Sequence, residues 1–257
     1  VRHGWFGAER VLPPPAMTPD EDVSRLLETH LTPEARSALG GPPGELVAFA
    51  REVAPGVFAL PLLTPAHCAR LRAELHRRER VARLAGSTLQ RPNSMNRDGV
   101  MLDEVGFGAL LDDLLARVGA PLGRALFAHV GGESLDHRHG FTVEYSPARD
   151  RDLSLHIDDA EVTLNLCLGD AFEGGALAVV GHRCLAHADT PLLAGEDAVV
   201  EHEVGTVLVH AGALRHHAEG VTDGHRVNLV VWCQSARFRR TNGAPARCGA
   251  WCARHSA

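Results

Sequence analysis

Lysine is absent from the 257 residues, and tyrosine occurs once, at Tyr145. Alanine, arginine and glycine are abundant, a skew that reflects GC-rich coding more than mechanism. Excess positive charge is missing too. The formal net charge of -6 argues against a nucleic-acid partner, which would favour a basic face. No apolar run approaches the roughly 18 residues of a membrane span, and no signal-peptide pattern follows Val1. These absences point to a cytoplasmic chain with no membrane partner. The cysteines form no framework. Cys68, Cys167, Cys184, Cys233, Cys248 and Cys252 read as free thiols in a reducing compartment. Cys248 and Cys252, with His255 nearby, make a partial zinc site that falls one ligand short of four.

What is present is ordinary for a globular chain: 45% hydrophobic and 23% charged residues, a length suited to one domain with or without an added arm. A core of this size needs no disulfide or structural metal. Residues 1–44 read as a partly helical N-terminal arm. It holds the Pro13 to Pro15 cluster and a helix from Thr18-Pro19 through Val23, Leu26 and Leu27, and Gly40-Gly41-Pro42-Pro43-Gly44 ends it. Residues 45–236 read as one domain, with helical support over 45–135 and a β core over 136–236, followed by a tail at 237–257. Val57 to Leu60 opens that domain as a strand. Thr64 is an N-cap before Pro65, and the helix from Ala66 to about Leu84 sets Cys68, Leu71, Leu75 and Val81 on one face, with arginines elsewhere. A third helical pattern covers Phe107 to Val118 and continues to Phe127.

From Phe141 the texture changes to short alternating runs. Phe141 to Tyr145, Leu153 to Asp158, Val162 to Leu168, Ala176 to Val180, Thr206 to His210 and Arg226 to Trp232 all read as strands. Helices followed by many strands suggest a mainly β fold with flanking helices (α+β), an antiparallel sandwich or barrel of the jelly-roll kind.

Three features in these strands carry chemistry. His156 and Asp158 lie two apart, so on a strand both side chains reach one metal ion. The strand ending at His210 leads through a turn to His216 and His217, and all three histidines are candidates for a distal ligand. Arg226 follows His216 by ten residues, and an arginine pointing into an apolar barrel needs an anion. Two histidines and one carboxylate leave three positions open, the arrangement of non-haem Fe(II) oxygenases. In that logic 2-oxoglutarate fills two open positions through its keto acid end, and its far carboxylate pairs bidentately with Arg226. O2 takes the last, and oxidative decarboxylation leaves succinate and carbon dioxide.

The run from Leu153 through Asn165, then Phe172-Glu173-Gly174-Gly175-Ala176-Leu177, resembles the prolyl 4-hydroxylase-type 2-oxoglutarate/Fe(II) dioxygenases. Within them it most resembles the "2-oxoglutarate and iron-dependent oxygenase domain-containing" proteins. Gly205 through Gln234 and Arg91-Pro92-Asn93-Ser94-Met95-Asn96 match the same group, so the resemblance covers roughly residues 55–236. It implies a double-stranded β-helix, iron at His156, Asp158 and His216, 2-oxoglutarate at Arg226, and ascorbate as the reductant that keeps the iron ferrous. The family pattern places the distal ligand ten residues before the basic residue, with glycine two before that residue. His216, Gly224 and Arg226 satisfy it, which leaves His210 to order the turn or line the pocket.

There are departures. Animal collagen prolyl hydroxylases carry lysine where this chain has Arg226, and many relatives place a tyrosine near Cys167. Thr163 and Asn165, on the same strand face, are candidates for that contact, and so is Tyr145 for a carboxylate hydrogen bond. Arg91 to Asn96 reads either as part of a substrate-covering lid or as an ordinary surface loop. The expected activity is hydroxylation of an unactivated C–H of a protein side chain. The rivals are the same chemistry on a small molecule, a non-catalytic cupin-like binding module, and a zinc-loaded hydrolase or isomerase.

Overall fold

The computed structural model describes residues 23–243, 248–249 and 251–255. Thr32 opens the first helix, α1 (Pro33–Gly40), by accepting a hydrogen bond from the Ala35 N–H with Pro33 at the first helical position. Gly41 and Pro42 turn the chain into α2 (Pro43–Phe49), so the Gly-Pro cluster is a corner between two helices. The helix expected through Val23, Leu26 and Leu27 is not there: those residues are turn and irregular backbone before a single 3-10 turn at Glu28–His30. The cause is tertiary. Asp113 takes the Leu26 N–H at 3.0 Å and the Arg25 guanidinium at 2.6 and 2.9 Å, while Val23 and Leu26 are buried. Pro13 to Pro15 and Thr18-Pro19 lie outside the described residues.

A hairpin of β1 (Arg51–Ala54) and β2 (Val57–Pro61) leads to α3 (Pro65–Leu84), whose cap is Thr64 accepting from the His67 N–H. Cys68, Leu71 and Leu75 face the core as expected, but Arg78 joins them and is fully buried. Its Nε donates to Glu74 at 2.7 Å, its Nη1 lies 3.2 Å from the Val105 and Gly106 carbonyls, and its guanidinium sits 4.2 Å over the Phe107 ring. The hydrogen bond from Arg77, with that from Arg78, holds the Glu74 carboxyl down at about 2. The folded value lies below the ordinary 4.5, so this contribution to stability is present at neutral pH and is lost as pH falls from 4.5 towards 2. Glu74→Gln should cost about 1–2 kcal/mol, less than a fully enclosed pair because Glu74 reaches water on one side. Urea melts at pH 7 and pH 3 check this: the gap between variant and wild type should narrow at the lower pH.

The next helical stretch is α4 (Gly108–Leu114), a π turn at Leu115–Gly119, and α5 (Ala120–Leu126). Pro121 has no N–H for an i−4 bond, which accounts for the widened turn just before it. Then come β3 (His137–Tyr145), β4 (Leu153–His156), β5 (Val162–Cys167), β6 (Phe172–Gly174), β7 (Leu177–His182), β8 (Asp197–Val200), β9 (Thr206–Ala211), β10 (Leu214–Ala218), β11 (Val221–Gly224) and β12 (Arg226–Gln234), closed by α6 (Ala236–Asn242). They form a six-stranded sheet in the order β1-β2-β9-β5-β12-β3, a four-stranded sheet β4-β10-β7-β8, and the small pair β11-β6. Every strand pairing is antiparallel. The outer face of the larger sheet (Leu164, Leu166, Val207, Val209, Leu229, Val231) packs on the helices in one core that also takes in Val23, Leu31 and Ala35. Its other face is left for the smaller sheet and the space between them. No helix among the described residues is long and apolar enough to cross a membrane.

Candidate metal and co-substrate site

β4 and β10 run antiparallel with His156 directly opposite His216. Each ring donates from Nδ1 to the backbone carbonyl two residues earlier, His156 to Ser154 at 2.8 Å and His216 to Leu214 at 2.9 Å. That assignment follows from the partner, since a carbonyl only accepts. It leaves both Nε2 atoms facing Asp158 Oδ1, at 3.5 and 3.7 Å. The three ligand atoms lie within 4.8 Å of one another. Asp158 is not on the strand, as the two-residue spacing suggested: β4 ends at His156, and the next residues turn so that the Asp158 N–H donates to the Gly212 carbonyl at 2.9 Å. A side chain at Gly212 would clash, since a Cβ there would lie 2.0 Å from the Ala160 oxygen. Thr163 Oγ1 donates to Asp158 Oδ2 at 2.6 Å, so its hydroxyl positions the carboxylate.

Alternation along β10 separates the candidate histidines. His216 points inward, while His217 lies on the other face and outside the cluster. His210 is fully buried behind them, its ring 4.8 Å from that of His216 and its Nδ1 donating to the Ala211 carbonyl. Burial pushes His216 down to about 3, keeping its lone pair free of a proton at neutral pH. Burial would push the Asp158 carboxyl up, but the facing His216, His156 and His210 outweigh it and hold it below the usual carboxylate range.

On the larger sheet, β12 and β3 face each other with Arg226 opposite Tyr145, Asn228 opposite Val143, Val230 opposite Phe141 and Trp232 opposite His139. Arg226 is 2% exposed and no carboxylate among the described residues pairs with it. Its Nε donates to Asn228 Oδ1 at 3.0 Å, its guanidinium lies 5.1 Å over the Tyr145 ring, and its buried Nη1 has no acceptor. Gly175 permits this placement. Its φ is +71°, and an added Cβ would lie 2.9 Å from Arg226 Nη1.

Asn228 and His202 went unassigned in the sequence. Asn228 Nδ2 donates to Asn165 Oδ1 at 2.6 Å and lies 3.1 Å from His202 Nδ1, whose Nε2 reaches the Thr206 carbonyl at 3.1 Å. Burial, then the nearby Arg226, pushes His202 down to about 3, so it stays neutral and accepts. This relay fixes Arg226 from behind. Its one legible sign was Asn228 two residues after Arg226. Tyr145 is buried, accepts from Asn96 Nδ2 at 3.3 Å, and keeps its own proton because burial pushes the phenol up.

His156, Asp158, Thr163, Asn165, His216, Arg226 and Tyr145 open onto one cavity of about 390 Å³. Pro92 to Asn96 border it as well, so the segment is part of the cavity wall. Asn93 Oδ1 accepts from the Met95 and Asn96 N–H groups at 2.8 Å, which shapes that loop, and Asn96 is buried. The donor set fits Fe(II): two imidazole nitrogens and a carboxylate, each oriented by a further hydrogen bond. The orphaned Arg226 N–H fits one end of a dicarboxylate such as 2-oxoglutarate.

A jelly roll of two antiparallel sheets with this histidine–aspartate–histidine set between them defines the chain's class, the non-haem iron oxygenase fold. A family model described as the OGFOD2-like domain matches residues 25–132. Over 201 residues the chain is 41% identical to the 2-oxoglutarate and iron-dependent oxygenase domain-containing protein CP2 of Arabidopsis thaliana, a match covering 78% of this chain and 51% of that protein. The chain belongs to the 2-oxoglutarate and iron-dependent oxygenase domain-containing family, and it spans about half the length of the curated relatives it matches. Among solved structures, a Pseudomonas putida prolyl-4-hydroxylase is similar at a TM-score of 0.50 and 19% identity, over 77% of this chain and 98% of that one. The α-ketoglutarate-dependent carbocyclase SnoK from nogalamycin biosynthesis is similar at 0.53 and 19%, over 78% and 87%. At these identities the likeness is one of fold. Family and fold are those the sequence led us to expect.

Proposed function

We propose that this chain is an Fe(II)- and 2-oxoglutarate-dependent dioxygenase that hydroxylates an unactivated C–H of a protein side chain, releasing succinate and carbon dioxide. The observation that carries the reading is Arg226, a buried guanidinium with an unused N–H in the same cavity as two inward-facing imidazoles and a carboxylate. An unpaired buried cation is costly, and a carboxylate that enters with the co-substrate relieves that cost.

In this reading His156, Asp158 and His216 hold the iron, and Thr163 keeps Asp158 turned towards it. Arg226 and Tyr145 take the far carboxylate of 2-oxoglutarate, with Asn165 bordering the same space. The bound iron and keto acid supply, with O2, the oxidising power for C–H hydroxylation, and ascorbate serves as reductant. The chain's own part is to fix these groups and exclude water. The wall formed by Val143, Val230 and Phe141 is apolar, with Trp232 and His139 at its end, and it gives an aliphatic side chain a dry place beside the metal ligands. The charged groups of the cavity sit with the metal ligands and Arg226, apart from Asp159, which pairs with Arg239 at 2.8 Å. That distribution supports an uncharged side chain over a charged metabolite. Six unpaired thiols support a reducing, cytoplasmic setting.

The test is anaerobic addition of Fe(II) and then 2-oxoglutarate, watched for the weak visible band of an iron-chelated keto acid. Wild type and His217→Ala should show the band, and His216→Ala should not. A folded, iron-loaded wild type without the band would remove the reading, and a band retained in His216→Ala would remove that ligand. Turnover against peptide and metabolite panels then separates the protein side chain from a small molecule.

A further inference from the structure

Cys184, His187, Cys248 and Cys252 form a second cluster of ligating side chains, none of which lines the cavity. Cys184 and His187 lie just beyond β7, where a 3-10 turn (Leu185–His187) leads away from the sheet. Cys248 and Cys252 come from the far end of the chain, 61 and 65 residues after His187. His187 Nδ1 lies 3.2 Å from Cys184 Sγ, 3.5 Å from Cys248 Sγ and 3.5 Å from Cys252 Sγ. All four donor atoms fall within 4.8 Å of one another, and none of the thiols is in a disulfide.

We propose that these four residues bind a structural Zn2+ ion that clips the C-terminal segment to the loop after β7. The proposal stands apart from the iron reading of the cavity. Hydrogen bonding alone does not account for the geometry: one imidazole nitrogen carries at most one proton, and here three sulfurs surround it. A cation at the centre satisfies all four donors at once. The spacing agrees. With Zn–S of about 2.3 Å and Zn–N of about 2.1 Å, a tetrahedral site sets nitrogen and sulfur about 3.6 Å apart. Three cysteines and one histidine fill a tetrahedron and leave no open position, which makes the site structural. The Cys184 N–H also donates to Cys252 Sγ at 3.4 Å, a contact suited to a thiolate ligand. His255 Nδ1 lies 3.5 Å from Cys248 Sγ alone, outside the four, and is placed to hydrogen-bond that ligand.

The clip has something to hold. The Ala253 N–H donates to the His182 carbonyl at 3.2 Å, and Arg254 Nη2 donates to the Pro191 carbonyl at 2.8 Å. From the same loop, the Ala188 and Thr190 carbonyls accept from Arg215 at 2.8 and 2.7 Å, and Arg215 immediately precedes His216. The zinc would therefore steady the outer support of the strand that carries the distal histidine.

The experiment is metal analysis of protein purified under reducing conditions with zinc in the medium, followed by zinc-edge X-ray absorption. Wild type should hold about one zinc per chain, with three sulfur neighbours at about 2.3 Å and one nitrogen at about 2.1 Å. Asp158→Ala, which leaves the cluster intact, should keep that zinc, and His255→Ala should keep it too. Cys248→Ser and His187→Ala should lose most of it while retaining the visible 2-oxoglutarate band. Wild type without zinc, or zinc bound by oxygen and nitrogen alone, would overturn the proposal whether or not the variants fold. Zinc lost in Asp158→Ala but kept in Cys248→Ser would assign it to the cavity and overturn the proposal equally.

Discussion

Asp158→Ala is expected to abolish tight Fe(II) binding and lower turnover by well over about 100-fold, the range that marks loss of a group merely supporting a ligand. Asp158 supplies the one anionic donor of the three, and it is the point on which both histidine Nε2 atoms converge. Without it two neutral imidazoles remain, and the Thr163 hydroxyl loses its acceptor. The fold should survive, because the side chains around Asp158 are held by their own backbone hydrogen bonds. Thermal melts with and without Fe(II) distinguish the cases. The variant should melt near the wild-type apo temperature and show no rise on adding iron, whereas a collapse of the apo melt would assign Asp158 a structural role. Retained activity would remove Asp158 from the site.

Arg226→Leu should act on the co-substrate and leave the metal alone. A buried, charge-assisted pair with a carboxylate is worth about 3–5 kcal/mol to break, which at about 1.4 kcal/mol per tenfold raises the 2-oxoglutarate requirement by about two to three and a half orders of magnitude. Iron binding should change little, since Arg226 lies outside the histidine–aspartate cluster. Arg226→Lys should fall between the two, because an ammonium keeps the charge and loses the planar fork. Apo stability should be unchanged or higher in the leucine variant, because a buried cation without an acidic partner is removed. Titration of 2-oxoglutarate at saturating iron measures the effect, and an unaltered requirement would mean the anchor is elsewhere.

The helices capped by hydroxyl and proline were legible where the signature was read. Thr64-Pro65 located α3, and the same signature at Thr32-Pro33 marks α1, masked in the sequence by the Gly-Pro cluster that follows. Alternation and short apolar runs located β3, β5, β9 and β12 in the larger sheet and β4 and β7 in the smaller one. The short strands β6 and β11 carry too few apolar residues for that pattern to show, and in β8 the apolar residues are consecutive rather than alternating. Arg78 escaped because charge is a poor guide to burial when carbonyls and a carboxylate wait inside. At the candidate site, the sequence placed His156, Asp158, His216 and Arg226 as a set, and the structure gathers them around one cavity. What it hid was contact across distance: Asn96 reaching Tyr145, Asn228 meeting His202, and Cys184 with His187 meeting the end of the chain.

The lone tyrosine has a practical meaning. Growth on a fluorinated tyrosine would place a single fluorine nucleus in this 257-residue chain, in the ring that lies 5.1 Å from the Arg226 guanidinium carbon. A resonance from that nucleus would follow the arrival of a dicarboxylate with no substitution made and no background to subtract.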